Sequence, residues 1–316
     1  MKKSILSLIF CLSTFLAFSQ ESVKYTIVKD DPSVSPWLSV NLDIFGMEVT
    51  MPKEDFGTNF GIGIWGHVES PKLPVGIQYV FYRSYFDVGR LEKSEDFPNT
   101  TELQLGALYF FSDKTKAKTF AVGLSNKVIA TERYKQGNKS YEKTTSETKS
   151  VDIPGHLRTQ YGLRGGLMFR SSGFPLGEGL GKDPATGDPF EFASYGSTSI
   201  YAGILVRYTA NLIIKTDNYG LVPSATKASN WFLDAIIAPV NSFRHPSDAD
   251  INQLVKDNRA TSPIGFRFGY QTYAIEQRAV SGQKFGLAVR GELGVRPYLG
   301  FYGAATLGIT LVKKTK

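Results

Sequence analysis

Cysteine is almost missing from the chain: Cys11 is the single one in 316 residues. A disulfide-stapled scaffold is therefore excluded. Because Cys11 lies inside the first apolar stretch, a chain processed beyond it has no thiolate nucleophile and no thiolate metal ligand. Histidine is scarce too, with three in total. His67, His156 and His245 show no metal-ligand spacing, so neither a metal nor another cofactor is expected. Beyond the first twenty residues there is no run of about 18 apolar residues, which excludes a spanning helix. A phosphate-binding loop is absent as well. Gly177 to Lys182 comes near one, but Leu176 stands where its first glycine belongs and Asp183 where Ser or Thr is needed. Asp183, Asp188 and Glu191 lack the alternating-oxygen spacing of a calcium loop.

What the chain has in excess is glycine and aromatics, with 31 Gly, 22 Phe and 16 Tyr beside 42% hydrophobic and 21% charged residues. That mix suits many strands joined by turns, and it is far too apolar for a disordered chain. The N-terminus reads as a secretory leader over residues 1–19. Met1, Lys2 and Lys3 supply positive charge, Ile5 to Phe18 the apolar core, and Ala17-Phe18-Ser19 a small-x-small cleavage signal before Gln20. Its removal lowers the net charge from +7 to about +5. Residues 20–36 then read as an N-terminal periplasmic segment, and 37–316 as one β-rich body with long loops near 171–196 and 240–260.

Period-two alternation runs through that body. Leu38, Val40, Leu42 and Ile44 share a face opposite Ser39, Asn41 and Asp43. Comparable segments follow at 60–68, 75–82, 103–109, 120–124, 161–169, 200–208, 231–238, 264–271, 285–296 and 299–311, eleven in all. The second face is informative. A soluble sandwich would fill it with Lys, Glu, Ser and Thr, whereas here it is mostly Gly, Ala and Gln with single Arg, Glu or Asp residues. Small residues relieve crowding in a narrow barrel interior, and an isolated charge there can be paired across it. Aromatic clusters at Tyr79 to Phe86, Tyr109 to Phe111 and Tyr298 to Tyr302 sit where interfacial girdles belong.

The leader ending Phe18-Ser19-Gln20 and the Gly-aromatic strands through Gly300-Phe301-Tyr302-Gly303-Ala304 and Gly308-Ile309-Thr310-Leu311 resemble the outer-membrane β-barrel proteins of Bacteroidota-type bacteria. The resemblance is one of class and carries over no functional residues. The sequence departs from many such barrels at its end, Leu311-Val312-Lys313-Lys314-Thr315-Lys316, where they carry a terminal aromatic. The expected fold is all-β: a transmembrane antiparallel up-and-down barrel of about twelve strands, with ten as the alternative. Eleven segments become twelve if Ser140 to Ile153 forms a strand after a turn at Gly137-Asn138.

Alternation sends Arg164, Arg207, Arg267, Arg290 and Arg296 inward with Asp43, Asp234 and Glu292, an interior richer in Arg than in carboxylate. These residues form the candidate lumen charge network, read either as a structural plug or as a basic constriction that favours anions. The expected function is a non-enzymatic narrow pore for small solutes or ions in the outer membrane. The alternative is a structural or accessory subunit of an envelope complex. A rim-sited lipid hydrolase built on His67 and Ser70 ranks last. Outer-membrane lipid is the expected partner, with other envelope proteins met through extracellular loops. Nucleic acid is not expected, because Lys and Arg are dispersed among acids. The Lys-, Ser- and Thr-rich stretch from Tyr134 to Ser150 reads as solvated, and Ile251, Leu254 and Val255 as one face of a short helix over 248–257.

Overall fold

Side chains that alternate between two environments commit the chain to long strands, and these strands are long enough to need a partner along their whole length. The computed structural model describes residues 23–33, 36–51, 57–87, 99–136, 139–175, 192–218, 220–244, 262–275 and 286–314. They form β1 (Tyr25–Asp30), β2 (Pro36–Met51), β3 (Gly57–Glu69), β4 (Val75–Asp87), β5 (Thr101–Gln136), β6 (Lys139–Pro175), β7 (Phe192–Thr216), β8 (Gly220–Arg244), β9 (Ile264–Ala274), β10 (Gly286–Arg296) and β11 (Gly300–Lys314). From β2 to β11 each strand pairs antiparallel with the next, and β11 returns to pair with β2. Ten strands therefore close the barrel and no free edge is left around it. β1 lies outside the closure, pairing with the end of β7 from Leu212 to Thr216.

Ten is the smaller of the two counts that the alternation allows, and two mergers explain it. Residues 120–124 are not a separate spanning strand but the continuation of β5, and 140–153 open the same β6 that later carries Tyr161 to Phe169. β5 ends at Gln136 and β6 begins at Lys139, and the turn expected at 137–138 lies outside the described residues. The remaining alternating segments each map onto one strand, although 231–238 is only the middle of the 25-residue β8. The leader, His245, the glycine-rich stretch at 177–182, residues 183, 188 and 191, and the helix expected at 248–257 lie outside the described residues.

The outside of the cylinder is an apolar belt. Leu103, Leu105, Tyr109 and Phe111 of β5 are all exposed, as are Ile200, Ile204 and Tyr208 of β7 and Ile264, Phe266 and Phe268 of β9. Leu103 to Phe111 spans roughly 26 Å of strand at ~3.3 Å per residue, and in a tilted strand this matches the apolar height of a bilayer. Within the aromatic clusters, Tyr85, Tyr109, Phe111 and Phe301 face outward, but Tyr82, Phe110 and Tyr302 are buried inside. The girdle expectation thus fails for these three, because they sit at an even step from the inward residues Val80, Leu108 and Ala304 on their own strands.

Two hairpins project beyond the barrel at the end where β2 begins and β11 finishes, called here the terminal end. β6 pairs with β7 only from Arg158 onward, so its first half has β5 as its sole ladder neighbour. That β5–β6 extension folds over the outer face of the β7–β8 extension. Val122, Ile153, Leu212 and Ile214 form the core between the two layers, with Phe120, Val151 and Val222 beside them. Burying each of those four side chains contributes roughly 1.5–3 kcal/mol. His156 ties β1 to this layer through its backbone N–H and Nδ1, at 2.9 and 2.6 Å from the Asp30 carboxylate.

Closure depends on glycine at strand contacts. A Cβ added to Gly203 would lie 2.1 Å from the Leu233 carbonyl oxygen and 2.3 Å from Asp234 Oδ1, whereas one on Gly123 would meet nothing within 4 Å. Wild type should migrate faster on a gel before heating than after it, the signature of a closed barrel. Gly203→Val should abolish the fast band and Gly123→Ala should keep it; equal bands for all three proteins would contradict this account of closure.

Candidate functional site

Among the described residues the inward side chains are packed together, and their charges fall into three tiers. At the loop end, opposite the terminal end, Arg170, Glu48, Arg296 and Glu102 form a ring of alternating charge. Arg170 Nη2 lies 2.5 Å from Glu48 Oε1 and its Nη1 2.8 Å from Glu102 Oε2, while Arg296 reaches the same two carboxylates at 2.6 and 3.2 Å. Bidentate sharing of this kind suits the planar guanidinium fork.

The middle tier follows from register. Arg164 stands opposite Gly203, Gly203 opposite Asp234, and Asp234 opposite Arg267, so four strands bring one carboxylate between two guanidinium groups. Asp234 Oδ2 accepts from Arg267 Nε at 2.6 Å, and its Oδ1 lies 3.4 Å from Arg164 Nε. Arg267 Nη1 also donates to Gln104 Oε1 at 2.8 Å, and Arg290 donates to Glu292 at 2.6 Å. Gln104 donates in turn to Glu102 at 2.5 Å, which joins this tier to the ring above it. Asp43 accepts the indole N–H of Trp65 at 2.9 Å.

At the terminal end Arg207 pairs with Glu69 and donates from Nε to Asn230 at 2.8 Å. His67 lies between Glu69, 3.4 Å from its Nε2, and Ser39, whose hydroxyl is 2.8 Å from its Nδ1. This Ser-His-Glu line replaces the expected His67 and Ser70 pair. Ser70 instead accepts the backbone N–H groups of Lys72 and Leu73 in the tight turn before β4. Ser39 and His67 are 0% and 3% exposed, so the hydroxyl has no room for a substrate carbonyl beside it.

The structure thus brings Arg164, Asp234, Arg267, Arg290 and Glu292 into one cluster, while Arg207 belongs to a different tier and Asp43 is held by Trp65. Sequence reading missed Glu48, Glu69, Glu102 and Arg170. With them, six inward arginines face six carboxylates among the described residues: Arg164, Arg170, Arg207, Arg267, Arg290 and Arg296 against Asp43, Glu48, Glu69, Glu102, Asp234 and Glu292. The expected surplus of Arg is corrected to a balance.

Aromatic rings complete the filling. Arg164 lies 3.8 Å from the Phe232 ring centre and Arg296 3.7 Å from that of Tyr302, contacts in which a desolvated guanidinium is favoured. The inward glycines do not leave open space. A Cβ on Gly269 would sit 2.1 Å from the Phe232 ring, and one on Gly106 2.1 Å from the Tyr201 hydroxyl. Between Glu48, Tyr82, Glu102, Arg290 and Arg296 only ≈ 20 Å³ remains, about the space of one water. The terminal end has a wider vestibule of ≈ 520 Å³ lined by Trp37, Glu69, Phe110, Asp113 and Arg158. Beyond the membrane-facing part of β5, hydrogen bonds from Arg158 hold the Asp113 carboxyl below its ordinary range. No group of side chains suited to a metal ion occurs among the described residues.

An apolar exterior around a polar, charged interior defines an inside-out β-barrel of the kind that spans a bilayer. No protein-family model matches the chain, and no curated protein does. Among solved structures, the outer membrane protein OprD from Pseudomonas aeruginosa aligns over 92% of this chain and 98% of its own, at 9% identity and a TM-score of 0.19. A double variant of OccD1 (OprD) aligns at 11% identity and 0.17, over 92% and 99% of the two chains. A triple mutant of the Rhodopseudomonas blastica porin aligns at 8% identity and 0.15, over 91% and 99%. At such scores these likenesses carry no argument, and the class rests on the barrel's own geometry.

Removing one member of a buried pair strands its partner without water, at a cost of about 3–5 kcal/mol. Arg267→Gln and Asp234→Asn should each lower the urea midpoint strongly. The double variant should lose clearly less than the two losses added, because the two residues share one interaction. Strict additivity would contradict the pairing.

Proposed function

We propose that the chain is an integral outer-membrane barrel whose lumen is kept shut, serving as a structural or accessory subunit that presents its terminal-end hairpins to an envelope assembly. The finer elements of this reading rest on the sequence, the cleaved leader on its charged start, apolar run and cleavage pattern, and the Bacteroidota-type envelope on the resemblance. The observation that carries the proposal is the filled interior, in which balanced charge tiers and aromatic rings occupy the space that a passive pore leaves to water. A solute crossing it would have to displace Asp234 from both Arg164 and Arg267. The second feature is the two-layer extension at the terminal end, whose own apolar core gives it a fixed shape outside the membrane.

A narrow pore is the second reading, favoured by the ≈ 520 Å³ vestibule at the terminal end. Balanced inward charge would give such a pore little anion preference. The two readings part in planar bilayers. The accessory reading expects no stable stepwise conductance from wild type, an opened leak in an Arg267→Gln, Arg290→Gln variant, and a stoichiometric partner from native membranes that is lost when the β5–β6 extension is shortened. Stable conductance steps from wild type, with no partner recovered, would reverse the order of the two readings.

A further inference from the structure

Where the β5–β6 extension parts from the outer face of β7 and β8, a cleft of ≈ 560 Å³ opens at the border of the apolar belt. Its floor is apolar, formed by Leu157, Ala210, Ala225 and the exposed ring of Trp231. Trp231 packs on Tyr270 at 4.3 Å between ring centres and stacks on Phe268 at 5.5 Å, so the floor runs without a break into the lipid-facing surface of β8 and β9. Its rim is basic. Lys118 and Lys227 line it from the two opposing layers, Lys118 with its ammonium 5.9 Å from the centre of the Phe120 ring. No acidic side chain lines the cleft among the described residues.

Three features select one kind of occupant. Tryptophan and tyrosine at the end of the belt mark headgroup depth. Lysines at that depth attract anionic headgroups. The volume lies within the range of small-ligand sites, and the apolar floor faces the bilayer instead of water. We propose that the cleft holds one anionic glycerophospholipid, its phosphate between Lys118 and Lys227 and one acyl chain along Leu157, Ala210 and Trp231. The inference rests on the reading that the barrel spans a membrane. Bound this way, the lipid would fill the seam between the extension and the barrel, fixing the angle at which the extension is presented.

The test uses the full chain in phosphatidylcholine vesicles with added phosphatidylglycerol carrying brominated acyl chains, which quench nearby tryptophan. The Trp231 signal is taken as the difference from a Trp231→Phe variant. Wild type should be quenched at low fractions of brominated phosphatidylglycerol, and a Lys118→Gln, Lys227→Gln variant should need about tenfold more. Replacing both lysines by Arg should restore the wild-type response, which separates charge from loss of packing. Brominated phosphatidylcholine should quench the wild type and the Gln variant alike. Equal phosphatidylglycerol responses in these two would overturn the lipid site while leaving the barrel intact. Abolition of quenching by millimolar inorganic phosphate would also overturn it, since the occupant would then be a soluble anion. If the protein neither inserts nor shows a heat-modifiable band, the membrane reading itself falls and takes the site with it.

Discussion

A guanidinium group pointing into a barrel only ten strands around has little water to solvate it, so a carboxylate must come within hydrogen-bond reach. Asp234 meets this demand for two arginines at once, accepting from Arg267 at 2.6 Å and standing 3.4 Å from Arg164. The arrangement fixes register, because a slip of one residue on β6 or β9 would send Arg164 or Arg267 to lipid, at roughly 2–4 kcal/mol near the midplane, and a slip on β8 would send Asp234 there. It also fixes composition. Gly203 sits between the two charged strands, and any side chain there would meet Asp234 itself. Buried ion pairs are weak evidence for net stability, but here they specify which strand lies beside which.

The same crowding explains the glycines. In the alternation they resemble the lining of an open channel, yet at Gly269 and Gly106 the missing side chain is the space into which a neighbour's large group projects, Phe232 over the first and the Tyr201 hydroxyl over the second. Small and large residues therefore interlock across the lumen as they do in any packed core. Trp65, Val80, Ala228, Tyr273, Ile275 and Ala288 form one such layer inside the cylinder. A glycine-rich inner face gives the radius of the backbone and leaves its contents undecided, since those depend on side chains several strands away.

Much of the barrel was legible in the sequence, because the outward face must be apolar at every second residue and nothing in the chain competes with that pattern. Eight of the inward charges can be read from it directly. Glu48 is lost to a local irregularity. The ladder shifts between Asp43 and Gly46, so Ile44 and Phe45 both face outward and the parity beyond them reverses. Glu69, Glu102 and Arg170 are missed for a simpler reason: each lies one step outside the first or last apolar residue of a segment, where alternation offers no neighbour to confirm it. The extension was illegible because Phe120, Val122 and Leu124 alternate as a membrane strand does. Their apolar face meets Leu212 and Ile214 instead of lipid, and periodicity cannot tell those two environments apart.

On the proposed reading, the barrel is held shut by its own side chains at every level. The near absence of cysteine offers a direct measurement. In a chain without Cys11, Ser199→Cys places one nearly isosteric thiol deep in the lumen, where Ser199 is 1% exposed, and Thr115→Cys places a control on the exposed part of β5. Membrane-inserted protein is then treated from both sides with a small cationic thiol reagent. The account predicts rapid labelling of the control and none at position 199 until the protein is unfolded. Labelling at 199 in the folded barrel at the rate of the control would mean that water and ions reach the middle of the lumen, and would contradict it.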